Sequence, residues 1–531
     1  MKIKENKYLF ILEILLAAIL VISINIAAAG INYGLEGDEV FSYISSTSMG
    51  GFKGICYLED QTWYDADYFR NAVTATGSER FNIKMVVENQ AMDTHPPLYY
   101  LFLNLICSVF AGRYSRWFGI GLNIFFMLFV GLGLYLLLQY FVRDKQISLI
   151  SATIFCCSFL AVNMTLFIRM YVLTMAITLF QSWYHLVVYD KIVSVNKFPF
   201  RKYWKDYILL SMLTIAGGLT HYYFLIYQCL ISAEFVLMLF IRKRYRDMFR
   251  YSAAMIASAL VYICLYPASL QHLFFKYRGR DAVHKFLKES GLFDEALSML
   301  SAFNRQLFKG TLLIIILLLL CFTIFLLIKR KVDLAQLGKL GFLVLPSVIY
   351  FYGISKASPF ITIRYIAPIA ALLYAAIIVW AKMLIDIANR NDIKRMASIF
   401  LCICLFLTSF YFFQEPIKST YFTERRDVIN ELSKECQYCV YVGDDMAYWR
   451  MWEDYINYPA FQGLYFIDGE KKAPITDERL LEQENLVIYI DTNLNPEDIF
   501  TYLDTYLPSY QYEQKYTTNY TYIVSGKKMS G

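Results

Sequence analysis

Two adjacent carboxylates, Asp38 and Glu39, follow the first apolar run of the chain and stand close to Gly34 and Gly37. A pair of carboxylates near a membrane surface is suited to general-base catalysis or to binding a cation. The alternative is an acidic loop that is simply solvated. Their position directly after an apolar segment, beside two glycines, weakens this alternative.

His95 stands before Pro96 and Pro97, and Tyr99 follows at the start of an apolar stretch. Two prolines suit the first turn of a helix, where no amide donor is needed. An imidazole at the entrance of such a helix can donate a hydrogen bond to a phosphate or a carboxylate, and it changes charge near neutral pH. The alternative is an ordinary helix start without a ligand.

Two arginines are isolated at the ends of apolar runs, Arg169 shortly before Tyr171 and Arg364 directly before Tyr365. A guanidinium at the end of a membrane span is suited to binding an anion through two parallel hydrogen bonds. For Arg169, the alternative is that the side chain extends to the membrane interface, as long cationic side chains do.

His221 lies between two further apolar runs, where it is either a ligand-binding group or an interfacial histidine.

The loop 270–308 has an unusually large number of basic residues for an outer loop, and it includes Arg278 and Arg280. Because positive charge is normally kept on the cytoplasmic side, this loop suggests an anionic substrate. Attraction to anionic lipid headgroups is the rival interpretation.

The composition predicts that these residues are carried by a membrane protein. The chain has 531 residues, of which 58% are hydrophobic and 18% are charged, whereas about 25% charged residues are usual in soluble domains. Several apolar runs exceed about 18 residues, the length of a membrane-spanning helix. We therefore expect a polytopic α-helical protein of the cell membrane, in contact with membrane lipid. Disordered, collagen-like and disulfide-scaffold classes are excluded, and no nucleic-acid partner is expected.

The distribution of charge predicts an orientation and eleven spans. A lysine-rich start places the N-terminus in the cytoplasm, and a large, acidic first outer loop follows at 30–116. The apolar stretch 97–112 is interpreted as a helix at the outer surface, because counting it as a span would place the basic loop 191–205 outside. The predicted spans are 8–29, 117–142, 147–168, 170–189, 207–221, 222–241, 252–269, 309–328, 339–354, 365–384 and 397–413.

Residues 414–531 are predicted to form a separate extracytoplasmic α/β domain after a transmembrane domain at 1–413. The C-terminal part has 11 Lys and Arg against 20 Asp and Glu, whereas the first part has 39 against 24. Cys436 and Cys439 form either a disulfide or two free thiols. Short apolar runs that end in Gly or Asp predict strands at 439–443, 463–468 and 485–491, and the intervening pattern predicts helices at 476–484 and 496–507.

In their order and spacing, these motifs resemble those of the GT-C glycosyltransferases. The motifs are the acidic pair after the first span, His-Pro-Pro-Leu-Tyr, Arg-Met-Tyr, Thr-His-Tyr and Arg-Tyr-x-x-Pro. The branch that they resemble includes protein O-mannosyltransferases, the aminoarabinose transferase of lipid A and bacterial glycosyltransferase family 39-like proteins. The resemblance covers about residues 30–385, and it implies a GT-C-like fold with surface helices in a large first loop.

The resemblance implies an enzyme that transfers a hexosyl or pentosyl group from a polyprenyl-phosphate donor to an acceptor on the outer face, usually with inversion. The acceptor class, whether glycan, lipid or protein, is left open. Asp38 would be the catalytic carboxylate with Glu39 as its neighbour or substitute, and Arg169 and Arg364 would hold the lipid phosphate. The lipid A branch often has Lys where this chain has His95, which argues against aminoarabinose as the sugar. The other expected substrate-binding residues are Tyr99, Tyr171, His221, Arg278, Arg280 and Tyr365.

No cofactor is expected to be required, although Asp38 and Glu39 together could hold a divalent cation. Two other functions compete with the enzyme. A transporter or flippase of lipid-linked sugars would place polar residues through the bilayer midplane and show repeat symmetry, and Gln228 and Glu234 are the main polar residues of this kind. A non-catalytic membrane scaffold would use its outer domain to bind a glycan or a partner.

Overall fold

The computed structural model describes residues 7–31, 34–51, 58–194, 200–275, 277–287, 293–328, 334–387, 391–413, 419–444 and 450–529. The chain divides into two compact units. The first unit comprises Met1–Ala28, Thr94–Tyr99 and Ile120–Glu415, and the second comprises Ala29–Asp93, Tyr100–Gly119 and Pro416–Gly531.

The elements follow one another along the chain in three stretches. Up to residue 193 they are α1 (Lys7–Ile31), α2 (Gly37–Thr47), β1 (Thr62–Asp65), α3 (Ala66–Ala72), α4 (Ile83–Met92), α5 (Leu98–Val109), α6 (Arg116–Val142), α7 (Lys145–Cys156), α8 (Phe159–Leu166) and α9 (Tyr171–Val193). Up to residue 409 they are α10 (Phe200–Gly218), α11 (Tyr222–Ile241), α12 (Tyr245–Leu265), α13 (Tyr277–Leu287), α14 (Asp294–Phe308), α15 (Leu312–Ile328), α16 (Leu334–Ala357), α17 (Ala367–Asp386) and α18 (Asn391–Ser409). The remaining elements are α19 (Ser419–Glu435), β2 (Tyr438–Gly443), β3 (Gly463–Asp468), α20 (Glu478–Leu481), β4 (Asn485–Asp491), α21 (Pro496–Tyr506), β5 (Tyr510–Thr517) and β6 (Thr521–Lys528).

Seven helices in the described part of the chain are long and apolar enough to cross a membrane, and an eighth span results if α14 and α15, which meet at 88°, are counted as one. The eleven predicted spans are therefore not all matched by such helices. The seven are Tyr8–Ile31, Arg116–Val142, Tyr171–Val193, Tyr222–Ile241, Tyr245–Leu265, Gly338–Ala357 and Ala367–Asp386.

The prediction of a single helix over 147–168 is wrong, because the chain breaks between α7 and α8. The hydroxyl of Ser158 accepts a hydrogen bond of 3.2 Å from the amide of Ala161 and thereby caps α8. The carbonyl of Cys157 accepts from the amide of Tyr411 at 3.0 Å. Since these contacts satisfy backbone groups at the break, the helix can be interrupted among apolar neighbours.

Helix α5 occupies most of the stretch 97–112 that was predicted to be a surface helix. It has 12 residues, so it is about 18 Å long. A hydrocarbon core of about 30 Å needs about 20 residues, and α5 alone is therefore too short to cross it.

Helices α9 and α17 pack against each other at the centre of the first unit. In each of them 78% of the apolar window is buried, compared with 11% in α1. Polar side chains of α9 also tie it to its neighbours. The amide nitrogen of Gln181 lies 3.0 Å from the hydroxyl of Thr214 and 2.7 Å from the amide oxygen of Gln228. Such hydrogen bonds hold helices together in an apolar environment.

The second unit contains a six-stranded sheet in the order β1-β3-β2-β4-β6-β5. Strands β3, β2 and β4 are parallel, and the others pair antiparallel with their neighbours. The strands predicted at 439–443, 463–468 and 485–491 are confirmed as β2, β3 and β4, and the helix predicted at 496–507 is confirmed as α21. Cys436 and Cys439 are buried and free.

The edge strand β1 belongs to the first loop, and it pairs with β3 from Thr62 opposite Phe466 to Asp65 opposite Gly463. Further contacts join the loop to the C-terminal region. The guanidinium of Arg479 lies 4.5 Å from the ring centroid of Trp63. The ring of Phe69, which is 1% exposed, contacts the rings of Tyr455 and Tyr458 at 5.0 and 4.9 Å between centroids. The first loop and the C-terminal region therefore share one core.

Candidate functional site

Four helices begin directly after the polar residues singled out in the sequence. Helices α5, α9, α11 and α17 start at Leu98, Tyr171, Tyr222 and Ala367. The residues that precede them by one to three positions are His95, Arg169, His221 and Arg364. The side chain of Arg169 contacts that of His95. The stacked rings of Tyr171 and Phe167 connect His221 to the guanidinium of Arg364, so the four side chains lie near one another. Helix N-termini carry partial positive charge, which adds to that of the guanidiniums.

Arg169 is 3% exposed and lies in the link between α8 and α9. Asn123 of α6 fixes this link, because its side-chain amide donates to the carbonyls of Thr165 at 3.0 Å and Phe167 at 2.8 Å. The amide of Arg169 itself donates to the carbonyl of Phe167 at 2.7 Å. The backbone thus sets the direction from which the guanidinium enters the site.

His95 forms a hydrogen bond with the guanidinium of Arg169, and its Nε2 lies 3.2 Å from Nη2 of Arg169. Because a guanidinium can only donate, Nε2 of His95 is the acceptor. The carbonyl of His95 accepts from the hydroxyl of Tyr266 at 3.2 Å, and the amide of Leu98 donates to the carbonyl of Leu219 at 2.9 Å. These contacts hold the entrance of α5 in place.

His221 caps α11, and its Nδ1 accepts a hydrogen bond of 3.0 Å from the amide of Tyr223. Burial, and then the positive charges nearby, lower the pKa of His221 to about 3. The ring is therefore neutral at physiological pH, with its proton on Nε2. A neutral imidazole in this state is a hydrogen-bond donor and not a cation.

His221 is held in position by a close contact between the backbone of Gly217 and the ring of Phe224. A β-carbon at Gly217 would lie 2.2 Å from an edge carbon of Phe224, and Phe224 is completely buried. The carbonyl of Gly217 also accepts hydrogen bonds from the amides of Thr220 and His221, each at 3.0 Å. Glycine therefore allows α10 and α11 to meet tightly at the histidine.

Aromatic rings surround these polar groups. The ring of His221 lies 5.4 Å from that of Tyr171 and 4.9 Å from that of Tyr223, which in turn lies 5.5 Å from the ring of Tyr365. The guanidinium of Arg364 lies 5.3 Å from the ring centroid of Tyr365. Contacts of this kind orient a guanidinium while keeping its charge. The cluster can bind an anion such as a phosphate beside an apolar aromatic surface.

The second unit carries the acidic pair on α2. Glu39 is 7% exposed, and its Oε2 accepts a hydrogen bond of 2.8 Å from the amide of Glu36 in a capping box. Asp38 lies in the first turn of the same helix and is half-buried. Glu39 therefore stabilises the start of α2, and Asp38 is the carboxylate better suited to act on a substrate.

A buried ionic cluster lies behind α2, which packs against the turn Met451–Asp454. Arg425 contacts Glu453 at 3.2 Å and Asp454 at 3.6 Å. Burial raises the pKa of Glu453 to about 7; the charges of Asp454 and Glu36 also raise it, while Arg425 opposes them. The C-terminal region thereby supports the helix that carries the acidic pair.

No family model matches the sequence, and no curated protein matches it either. Solved structures do match its fold. ArnT of Cupriavidus metallidurans with bound undecaprenyl phosphate aligns with a TM-score of 0.54 and 9% identity, over 96% of this chain and 97% of ArnT. The apo oligosaccharyltransferase of Archaeoglobus fulgidus aligns with a TM-score of 0.51 and 12% identity, over 97% of this chain and 74% of that one. Both are GT-C glycosyltransferases. The chain has the GT-C fold.

The other predicted residues occupy varied positions in this GT-C fold. Tyr99 is completely buried within α5, and Tyr171 opens α9 with 2% exposure. Arg280 is exposed on α13, and the side chain of Arg278 lies outside the described residues. Within the described ranges, no three His, Cys, Asp or Glu side chains are grouped so that they could hold a metal ion.

Sequence reasoning missed three residues that build the cluster. Asn123 fixes the link before Arg169, Tyr266 binds the carbonyl of His95, and Tyr223 lies between the rings of His221 and Tyr365. Asn123 had a usable signal, because an amide side chain inside an apolar span is costly unless it binds a defined partner. The two tyrosines gave no such signal in a chain with 44 tyrosines.

Proposed function

We propose that this protein is a glycosyltransferase that moves a sugar from a polyprenyl-phosphate donor to an acceptor hydroxyl on the outer face of the membrane. The observation that carries the proposal is the cluster of Arg169, Arg364, His95 and His221 at four helix N-termini. A related fold solved with undecaprenyl phosphate, that of ArnT, supports a donor of this class.

The cluster would bind the phosphate of the donor, whose isoprenoid chain would lie along the apolar helices. Negative charge grows on the phosphate oxygen as the bond to the anomeric carbon breaks. Arg169 and Arg364, together with the Nε2 hydrogen of His221, would stabilise that charge, and such preorganised donors are among the largest contributions to catalysis. Because their contacts already orient these groups, little reorganisation is needed during the reaction.

Asp38 would act as the general base. Its carboxylate would take the proton of the acceptor hydroxyl while the hydroxyl oxygen forms the new bond to the anomeric carbon. The polyprenyl phosphate leaves with the electron pair of the broken carbon–oxygen bond, and attack from the opposite side inverts the anomeric centre. Glu39 would hold α2 in place, and no metal ion takes part in this scheme.

The contacts of Gln228 support this function over transport. Gln228, one of the two residues that would favour a transporter, donates to the hydroxyl of Ser232 at 2.9 Å and accepts from Gln181 at 2.7 Å. Tyr251 also binds Ser232, at 2.8 Å. Mutual contacts of this kind between α9, α11 and α12 are those of interhelical ties.

The experiment uses membranes that contain the protein and a panel of radiolabelled polyprenyl-phosphate sugars. We expect one donor to be consumed with label appearing in an acceptor, and the Asp38→Asn variant to lose this transfer. Glu88→Gln, at an exposed carboxylate of the same loop, is the matched control and should remain active. Movement of labelled lipid across vesicles by the purified protein, without sugar transfer, would favour the transporter and overturn the proposal.

A further inference from the structure

A groove between α7 and α18 lies at the other end of α17 from Arg364. Helix α17 has 20 residues, so its two ends are about 30 Å apart, the thickness of a bilayer core. The groove has a volume of about 740 Å³. It is therefore separate from the cluster around Arg169, and it opens at the level of the opposite leaflet.

The walls of the groove are apolar and follow the two helices lengthwise. The residues that form them are Ile147, Ile150 and Ile154 of α7 and Ile399, Ile403 and Phe406 of α18. Several are strongly exposed, including Ile150 at 47% and Ile399 at 52%. The lining of α18 extends from Asn391 to Phe406, which is about 22 Å of helix and close to the length of a phospholipid acyl chain.

One end of the groove is charged, and its positive charge exceeds its negative charge. Asp386 forms an ion pair with Lys382, and the carboxylate of Asp144 caps α7 by accepting from the amides of Gln146 and Ile147. Both carboxylates are thus engaged within the protein.

Lys394 and Arg395 also line the charged end, and neither forms an ion pair with a residue in the part of the chain that the structure describes. The excess positive charge therefore lies where the apolar walls end. An anionic headgroup attached to a long apolar chain is complementary to both parts of the groove.

We propose that this groove binds an anionic phospholipid of the leaflet on that side. The phosphate lies between Lys394 and Arg395, and one acyl chain follows the isoleucines of α7 and α18. Basic pockets between membrane helices recognise lipid headgroups in this way. The site is independent of the sugar transfer proposed above, since it involves none of the same residues.

The test is native mass spectrometry of the purified full-length protein, titrated with phosphatidylglycerol or phosphatidylcholine. The double variant Lys394→Gln, Arg395→Gln should weaken phosphatidylglycerol binding about thirtyfold and leave phosphatidylcholine binding unchanged. The matched control is Arg242→Gln, Lys243→Gln, which removes two exposed charges at the end of α11 and should leave both affinities unchanged. A second variant, Ile403→Trp, fills the apolar part and should weaken binding of phosphatidylglycerol without altering a charge.

Three results would overturn the proposal. The first is equal retention of phosphatidylglycerol by the wild type and the double variant at Lys394 and Arg395. The second is equal binding of the two phospholipids by the wild type, which would mean that any lipid fills the groove adventitiously. The third is displacement of phosphatidylglycerol by undecaprenyl phosphate at much lower concentration, which would assign the groove to an isoprenoid phosphate instead.

Discussion

The guanidinium of Arg169 lies 3.2 Å from Nε2 of His95, although 74 positions of the chain separate the two residues. The contact fixes the plane of the guanidinium at the N-terminal ends of α5 and α9. Planarity is what distinguishes arginine from lysine as a phosphate ligand, because the guanidinium presents its donors in a rigid fork. The relation to His95 therefore implies that the shape of Arg169, and not only its charge, contributes to the proposed function.

We expect Arg169→Lys to lower kcat for sugar transfer about a hundredfold, the usual loss when one preorganised donor is removed from a developing anion. The variant keeps the positive charge but cannot present two parallel donors. Initial rates with the labelled polyprenyl-phosphate donor measure the effect. Arg242→Lys, at an exposed position, is the matched control. A rate for Arg169→Lys equal to that of the wild type would show that charge alone is sufficient.

We expect the two residues of the acidic pair to have different roles, with Asp38 acting in catalysis and Glu39 stabilising the start of α2. Glu39→Gln keeps an oxygen that can accept from the amide of Glu36, so it should remain active and stable. Glu39→Ala removes that acceptor and should cost about 1 kcal/mol of stability. Asp38→Asn should retain stability and lose transfer. Thermal unfolding in detergent and initial rates, measured together, distinguish the three variants, and an inactive but stable Glu39→Gln would reverse the assignment.

The sequence predicted a helical membrane fold with a small C-terminal sheet because apolar runs are local signals, although it predicted eleven spans where the described residues contain seven helices of sufficient length, or eight spans with the bent pair. The same holds for β2, β3 and β4, whose apolar runs end in Gly or Asp. It could not predict the pairing of β1 with β3, because the two strands are about 400 positions apart and a four-residue strand at an edge has no distinctive pattern. The break between α7 and α8 was missed for a similar reason, since Tyr411 supplies its partner from far along the chain.

For the candidate site, the sequence identified residue types but not their partners. His95, Arg169, His221 and Arg364 stood out because polar groups at the ends of spans are costly to place. Their proximity follows from the packing of α9 against α17. Hydropathy alone does not predict which helices pack against each other. The capping box of Glu39 could not be predicted either. A pair of acidic residues has the same sequence pattern whether one or both of them act on a substrate.

The low pKa of His221 predicts a specific pH dependence. Between about pH 3 and pH 6.5 the unfolded chain binds a proton that the folded ring excludes, so the free energy of unfolding should rise with pH in this window. His221→Asn, which keeps an N-cap side chain, should flatten that dependence. Thermal unfolding of the wild type and the variant over this range measures it.

The same neutral ring bears on donor binding. Because His221 is already uncharged above pH 6.5, the KM for the polyprenyl-phosphate donor should not rise through a titration of this residue between pH 6 and pH 8. A steep rise of KM in the wild type that disappears in His221→Asn would mean that a charged imidazole binds the phosphate, contrary to our interpretation.

The shared core of the second unit predicts that the C-terminal region cannot be removed without damage to the first loop. Phe69→Ala removes a buried ring between Tyr455 and Tyr458 and should cost about 3–5 kcal/mol. Arg70→Ala, on the exposed side of the same helix, is the control and should have little effect. Limited proteolysis of the first loop reports the loss, and truncation after residue 415 should expose the loop fully. Intact, active protein after that truncation would instead show that the C-terminal region is a separate domain.

Gly217 provides a test of how precisely the cluster must be positioned. In Gly217→Ala the added β-carbon would lie within 2.4 Å of three ring carbons of Phe224, and the buried ring cannot turn away without moving the start of α11. Overpacking of this kind costs about 1–3 kcal/mol, and it should displace His221, which caps that helix. We expect a fall in kcat larger than the fall in stability would explain. Gly121→Ala is the matched control, because its β-carbon meets nothing within 4 Å. Equal rates for the two variants would mean that the position of His221 is not important for transfer.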